Sequence, residues 1–489
     1  MNYNYVEEKV DTSMIDRLEL KYPGVKGKIS KATRHSKRMA IASILGNREI
    51  FELIKKTLDL QKSDEYLTNL DELVVLFRKY VEVADVEKKT LGEVMTPITL
   101  VEQMLDTLPS EVWSNPNLKW LDPCAGVGTF PSIVVQRLMK GLENVIPNPE
   151  KRYGHIIENM IYVCELQDKN LFVFNCVFDL GDSNATNSYC GSFLDENFDN
   201  HMKNVWGVEK FDIVIGNPPY QTSNEGQTKT NPIWDRFVEK SLNILIDGGY
   251  LNMVHPSGWR NVDGRFKHIQ NMFKNRQVIY LELHSEKDGI KTFGAKTTYD
   301  FYTLKNSVNH NHITKIRCID GTYEDINIFD MDFIPNGKFS EFKKLMSKNI
   351  SERVNLIHSY SAYETRCDYM STTKDKTFKF PCVYTTKKDG SISLYYSSTN
   401  ENGHFGLPKV MWSNGGASTP IIDTNGEYGL TQFAYAIVDN ESNLELIRNA
   451  MVSDSFIELM KYTDGLVHKY NRKVIATFRK DFYKQFLND

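Results

Sequence analysis

Four residues near the middle of the chain, Asn217-Pro218-Pro219-Tyr220, have the types and the order needed to hold an amino group and a flat ring. Asn217 carries a short side-chain carbonyl. Pro218, restrained by the proline behind it, aims its backbone carbonyl in a fixed direction and has no competing N–H. Two acceptors would then converge on one exocyclic amine. Tyr220 follows with a face on which a planar ring can stack, worth roughly 1–3 kcal/mol per base. The tetrad closes the apolar run 211–216, and paired prolines cannot continue a strand ladder, so it must stand at a strand tip. Asn-Pro turns also simply terminate strands, so this group needs support from other residues.

Two further strand tips supply it. In WLDPCAGVGTF (120–130) a short strand ends in Asp122, and Pro123, Cys124, Ala125, Gly126 and Gly128 turn the chain into the helical run PSIVVQRLMK. Glycines let backbone pass close to a ligand, and an acid at a strand tip suits a cationic or hydroxylated group. The spacing is not the GxGxxG dinucleotide fingerprint, and no Lys-Ser/Thr follows as in a nucleotide P-loop. A Gly turn between strand and helix is equally common as plain structure. About forty residues on, IYVCE (161–165) ends in Glu165, placed to accept hydrogen bonds from ribose hydroxyls, though glutamates also end strands at surfaces.

These tips need a scaffold. LKWLD (118–122), IYVCE (161–165), DIVIGN (212–217), YLNMVHP (250–256) and VIYLELH (278–284) read as strands with helical patterns between several of them. That alternation predicts an α/β domain over 91–310 with a mostly parallel sheet, whose ligands sit beyond the carboxyl ends of the strands. Residues 1–90 read as helical, with apolar side chains at three- and four-residue spacing in ELVVLFRKYVEVADV (72–86) and a basic run at 26–38 that is either solvated surface or a phosphate-contacting arm. Residues 311–489 look irregular and rich in Tyr, Phe, Ser, Thr, Asn and Gly, with a hairpin expected around Asp389-Gly390. A chain of 489 residues exceeds one ordinary core, and three units are expected.

In this order the motifs resemble the S-adenosylmethionine-dependent N6-adenine DNA methyltransferases that carry NPPY and place the target-recognition domain after the catalytic one. The resemblance covers 91–310 clearly and the C-terminal third in general character. It implies a Rossmann-like class I methyltransferase domain with a mostly parallel seven-stranded sheet, preceded by a helical segment (1–90) and followed by a mixed α+β target-recognition domain (311–489). It further implies S-adenosylmethionine near Thr96 and Pro97 of GEVMTP (92–97), in the loop from Asp122 to Gly128, and at Glu165. Asn217, Pro218, Pro219 and Tyr220 form the catalytic loop, with Phe293 of KTFGAKTTYDFYTLK (291–305) packing on an extruded base. One departure stands out: GSFLDE (191–196) puts Ser192 before Phe193 where the family has an acid near the cofactor's adenine. A hydroxyl can still bind an exocyclic amine, or Asp195 substitutes by a local shift.

The expected partners are double-stranded DNA, gripped by the C-terminal third, and a cognate restriction endonuclease. Contacts are expected in 377–390, 413–419 and 468–480. The same loop also serves enzymes that methylate RNA guanine or a protein glutamine, and a non-catalytic DNA-binding subunit could keep the fold. Net charge of −4 offers no bulk attraction for polyanions, so any nucleic-acid contact must be local. The seven cysteines show neither CxxC pairs nor zinc spacing, so no metal is expected and the thiols are expected reduced and buried. No run is long and apolar enough for a bilayer and no signal-peptide pattern opens the chain, so a cytoplasmic protein is expected.

Overall fold

The computed structural model of the chain describes residues 96–178, 186–222, 231–413, 418–463 and 470–487. The expected helical segment 1–90, its basic run and the residues just before Thr96 lie outside them. The chain divides into two compact units: one runs through Ser257 and includes Asn271–Lys315, and the other comprises Gly258–Gln270 and Ile316–Asp489.

In the first unit the apolar runs form β1 (Trp120–Asp122), β2 (Ile161–Glu165), β3 (Asn187–Cys190), β4 (Phe211–Gly216), β5 (Leu245–Pro256), β6 (Gln277–His284) and β7 (Tyr299–Lys305). These are seven strands of a nine-stranded sheet, in the order β6-β7-β5-β4-β1-β2-β3. The pairs β1–β2, β1–β4, β2–β3 and β4–β5 are parallel. Only β7 runs against its neighbours β5 and β6. Among these seven strands the order, parallel apart from β7, is that of a class I methyltransferase fold. All of β1 and β2 is buried, as is β4 apart from Asp212, which is why these strands read as unbroken apolar runs rather than alternating ones.

The strand order turns back at β1, with β2 on one side and β4 on the other, so the carboxyl ends of β1, β2 and β4 border one crevice. Helices that matter to it are α1 (Ile98–Leu105), α2 (Thr129–Gly141), α3 (Asp168–Phe178), α4 (Glu196–Asn204), α5 (Trp234–Ile244) and α6 (Glu286–Phe293). α2 buries Phe130, Ile133, Val134 and Leu138, the three- and four-residue stripe that turns one helix face to the core. Gly128 caps its N-terminus in the left-handed region at φ 97°.

The second unit is more regular than its sequence implied. It holds β8 (Asn355–Ile357), β9 (Met370–Ser371), β10 (Phe380–Thr386), β11 (Ile392–Ser397), β12 (Lys409–Ser413), β13 (Ile421–Asp423), β14 (Gly429–Leu430) and β15 (Ala434–Val438). They form two four-stranded sheets, β8-β15-β12-β13 and β9-β11-β10-β14. Strands of two or three residues, such as Met370–Ser371 and Gly429–Leu430, are too short to show a period, which is why the segment looked irregular. The hairpin does form: β10 pairs antiparallel with β11, and Gly390 takes φ 81° in the turn between them.

The glycine at the head of α2 is set by space as well as dihedral. A Cβ there would stand 2.6 Å from the Phe178 ring and 2.9 Å from that of Phe174. Gly128→Ala is therefore expected to destabilise the protein by about 1–3 kcal/mol through clash and backbone strain, read as a lowered midpoint in urea unfolding. Gly126→Ala, strained at φ 55° but with nothing within 4 Å of its Cβ, should cost less.

Candidate active site

Three strand tips meet at a cavity of about 180 Å³. β1 contributes Pro123, Cys124, Ala125 and Gly126, β2 contributes Glu165, and β4 contributes Asn217, Pro218 and Pro219. Thr96 lies on the same wall, as do Ser192 and Phe193 from the turn after β3. Of the residues singled out in sequence, Pro97, Asp122, Gly128, Tyr220 and Phe293 do not line it.

Hydrogen bonds between the tips hold the wall together. The Glu165 carboxylate accepts from the Gly126 N–H at 2.8 Å and from the Gln167 N–H at 2.8 Å. The acid of β2 thereby fixes the glycine turn of β1. The Ala125 N–H donates to the Cys164 carbonyl at 3.0 Å, and the Gly191 N–H donates to the Glu165 carbonyl at 2.9 Å. The Cys124 thiol donates to the backbone carbonyl of Asn217 at 3.2 Å, joining the β1 and β4 tips. Burial and the nearby Asp122 carboxyl push that thiol well above its ordinary range, so it stays an S–H donor.

The Asn217 side chain is oriented from outside the tetrad. Its Nδ2 donates to Thr96 Oγ1 at 3.0 Å, and its Oδ1 is shielded from solvent with no hydrogen-bond partner. A buried acceptor left unpaired costs about 1–3 kcal/mol, which a ligand donor would recover. Asp122 behaves similarly one layer below. Its Oδ1 accepts from the Cys124 N–H at 3.1 Å while Oδ2 has no partner. Desolvation, with the Glu165 charge adding to it, lifts this carboxyl to about 8.

Tyr220 meets Phe293 edge to face, with centroids 6.0 Å apart and planes at 85°. Phe293 in turn meets Tyr299 at 4.9 Å, and Tyr299 stacks on His284 at 4.2 Å. The structure thus brings together the two aromatics named in sequence and adds two more to the row. Phe293 is the last residue of α6, which a Ser285–Asp288 capping box begins and Gly294 ends at φ 68°.

Ser192 keeps its register: it lines the cavity, and its hydroxyl accepts from the Leu194 N–H at 3.2 Å. Asp195 does not line the cavity and instead precedes α4 as its cap residue. Phe193 is buried against Phe198 and Phe237, with Lys240 Nζ 5.2 Å above its ring. Reading the sequence missed Phe130, Gln167, Ile233 and Phe237, all of which line the cavity. Ile233 and Phe237 lie one helical turn apart where α5 begins, and the strong apolar stripe of that helix was the available signal. Six described cysteines are free thiols: Cys164, Cys318 and Cys382 are buried as expected, whereas Cys124, Cys190 and Cys367 are only half-buried. Two of these three lie at or just beyond strand ends, where packing is incomplete.

The same region matches a known family. Residues 155–287 match the Eco57I restriction-modification methylase family. Over that stretch the chain is similar to restriction-modification methylases. It is 29% identical to an uncharacterized adenine-specific methylase of Mycoplasma pneumoniae, over 45% of this chain and 68% of that protein. It is 24% identical to the type II restriction enzyme and methyltransferase RM.Eco57I of Escherichia coli, over 30% of this chain. The match spans only 18% of that relative's length. Among solved structures, the type IIL restriction-modification enzyme MmeI in complex with DNA aligns with a TM-score of 0.48 at 10% identity, covering 83% of this chain and 70% of that one. The family match begins just before β2 and ends just after β6, so it includes Glu165 and the tetrad 217–220 but not the β1 turn. Among the described residues no helix is long and apolar enough to cross a membrane.

Two outcomes follow from the geometry. Thr96→Val keeps shape but removes the acceptor for Asn217 Nδ2, and it is expected to lower turnover about tenfold or more, while Thr96→Ser restores most of it. Steady-state methyl transfer measured on both variants checks this. For Asp122 the folded-state value, near 8, lies above the ordinary 3.8, so the folded protein binds the extra proton. The resulting stability is fully present below about pH 4 and is lost as pH rises through about 8. Thermal melts of the ligand-free protein are expected to fall across that window, and those of Asp122→Asn to fall less.

Proposed function

We propose that the protein transfers a methyl group from S-adenosylmethionine to the N6 amino group of an adenine rotated out of a specific double-stranded DNA sequence. The observation that carries this reading is the Oδ1 atom of Asn217, a buried acceptor without a partner beside Pro218 at the tip of β4. The residues present fit the cofactor. Glu165 offers a carboxylate for ribose hydroxyls, the Ala125–Gly128 turn brings backbone close, and Phe193, Ile233 and Phe237 supply an apolar wall for a purine. The buried Asp122 carboxyl, held neutral by desolvation, is suited to ionise beside an arriving ammonium group. When bound, the cofactor supplies a methyl group already activated on a sulfonium.

The work left to the chain is alignment. An adenine amino nitrogen is a weak nucleophile because its lone pair is delocalised into the ring. Asn217 Oδ1 and the Pro218 carbonyl, each accepting one N–H, draw that nitrogen toward tetrahedral geometry and stabilise the positive charge developing on it. Holding the amine in line accounts for much of the remaining rate. The amine is inaccessible within a duplex, so the base must leave the stack at a cost of a few kcal/mol. Tyr220 and Phe293 recover part of it by packing on the extruded ring. The second unit, on this reading, grips the duplex, and a cognate endonuclease is the companion activity.

Transfer of tritiated methyl to plasmid DNA, followed by nucleoside digestion, is expected to yield N6-methyladenine. Label appearing in RNA or protein and not in DNA would overturn the substrate assignment. Asn217→Ala is expected to reduce transfer by a factor of about 10²–10³ or more while cofactor affinity by calorimetry stays within a few fold, because that side chain acts on the nucleophile.

A further inference from the structure

The second unit contains a cavity of its own, of about 290 Å³, that the methylase chemistry does not use. Its wall includes Asn261, Tyr360, Tyr435, Asn471, Arg472 and Lys473, and among the described residues no Asp or Glu lines it. Arg472 is the unusual member. Its guanidinium lies 5.8 Å from the ring centre of Tyr360 and 5.2 Å from that of Tyr435, and it donates to the Tyr360 hydroxyl at 2.9 Å. Aromatic faces hold this cation in place, and among the described residues no carboxylate pairs with it. Lys473 beside it is partly neutralised by Asp263. The Asn471 side-chain carbonyl caps the Lys473 and Val474 N–H groups, which turns its amide N–H₂ into the remaining donor. Tyr360 is 68% exposed, an unusual position for so large a ring in a folded protein.

We propose that this cavity is a binding site for one phosphodiester of the DNA backbone, with Arg472 as its principal contact and Tyr360 packing beside the sugar or base. A guanidinium with no carboxylate partner among the described residues selects an anion, and its planar fork matches the two non-bridging oxygens of a phosphate. A tyrosine ring beside it suits a nucleotide better than a bare inorganic anion. The site would supply local attraction that the net charge of −4 does not. The proposal rests on the reading of DNA as substrate.

The test uses the full chain and duplex DNA in filter binding and steady-state methyl transfer. Arg472→Gln is expected to weaken duplex binding about tenfold at low salt and to lower the slope of log affinity against log salt by about one, because one phosphate contact and its counterion release are lost. KM for DNA should rise with kcat and cofactor affinity little changed. Arg472→Lys should recover the salt slope but only part of the affinity. Tyr360→Ala should weaken binding without altering the slope, which separates stacking from charge. Circular dichroism melts establish that each variant is folded. An unchanged KM and salt slope for Arg472→Gln, with a wild-type protein that methylates DNA, overturns the phosphate site alone. A wild-type protein that neither binds nor methylates duplex DNA overturns the underlying reading. Competition by inorganic phosphate at low millimolar concentration, equal in wild type and Arg472→Gln, would likewise count against Arg472 as the contact.

Discussion

The contact on which the site turns is the hydrogen bond from Asn217 Nδ2 to Thr96 Oγ1. An asparagine amide presents a donor at one end and an acceptor at the other, and a neighbour that takes the donor decides which end is left over. Here the acceptor remains, buried and unpaired, at the end of a strand whose backbone is stopped by two prolines. The Cys124 thiol holds the carbonyl of the same residue from the other side. Neither partner is near Asn217 in sequence, so the geometry of the tip depends on the parallel sheet that brings β1 and β4 together.

A parallel sheet gathers carboxyl ends on one edge, and this one gathers acceptors there. Asp122 and Glu165 end the adjacent strands β1 and β2, and Asn217 follows β4 on the other side of β1. Glu165 accepts from the N–H groups of Gly126 and Gln167. Asp122 lacks such support at one oxygen and stays protonated well above the usual carboxylate range. Two acids on neighbouring tips are therefore held differently by their surroundings. That difference suits a ligand with hydroxyls at one end and an ammonium at the other, as the proposed cofactor has.

The second unit solves a different problem. Its sheets are built from short strands, and its cavity presents cations and tyrosines where that of the first unit presents acceptors and glycines. With net charge slightly negative, a basic site has to be made locally, and ring faces orient Arg472 without cancelling it. A carboxylate would have ordered the side chain equally well but would have neutralised it.

Much of the first unit was legible in the sequence because its strands are buried on both faces and appear as unbroken apolar runs, each ending in a residue with evident chemistry. The tetrad 217–220, the acids Asp122 and Glu165, and the glycine turn were visible for that reason. Of the second unit only its mixed α+β character and the hairpin at Asp389-Gly390 were legible, since strands as short as Met370–Ser371 carry no period. Phe237 and Ile233 were passed over because an apolar residue on a helix looks the same whether it faces a core or a cavity. By itself the sequence determined where the chain must leave the sheet, since proline has no N–H to offer and glycine alone takes the dihedral of Gly128 cheaply. Only the tertiary structure decided which atom of Asn217 is left unpaired, that Asp122 lies beneath the cavity wall, and that Tyr360, Tyr435 and Arg472 share one pocket. Those facts depend on contacts between residues far apart along the chain, and no local pattern encodes them.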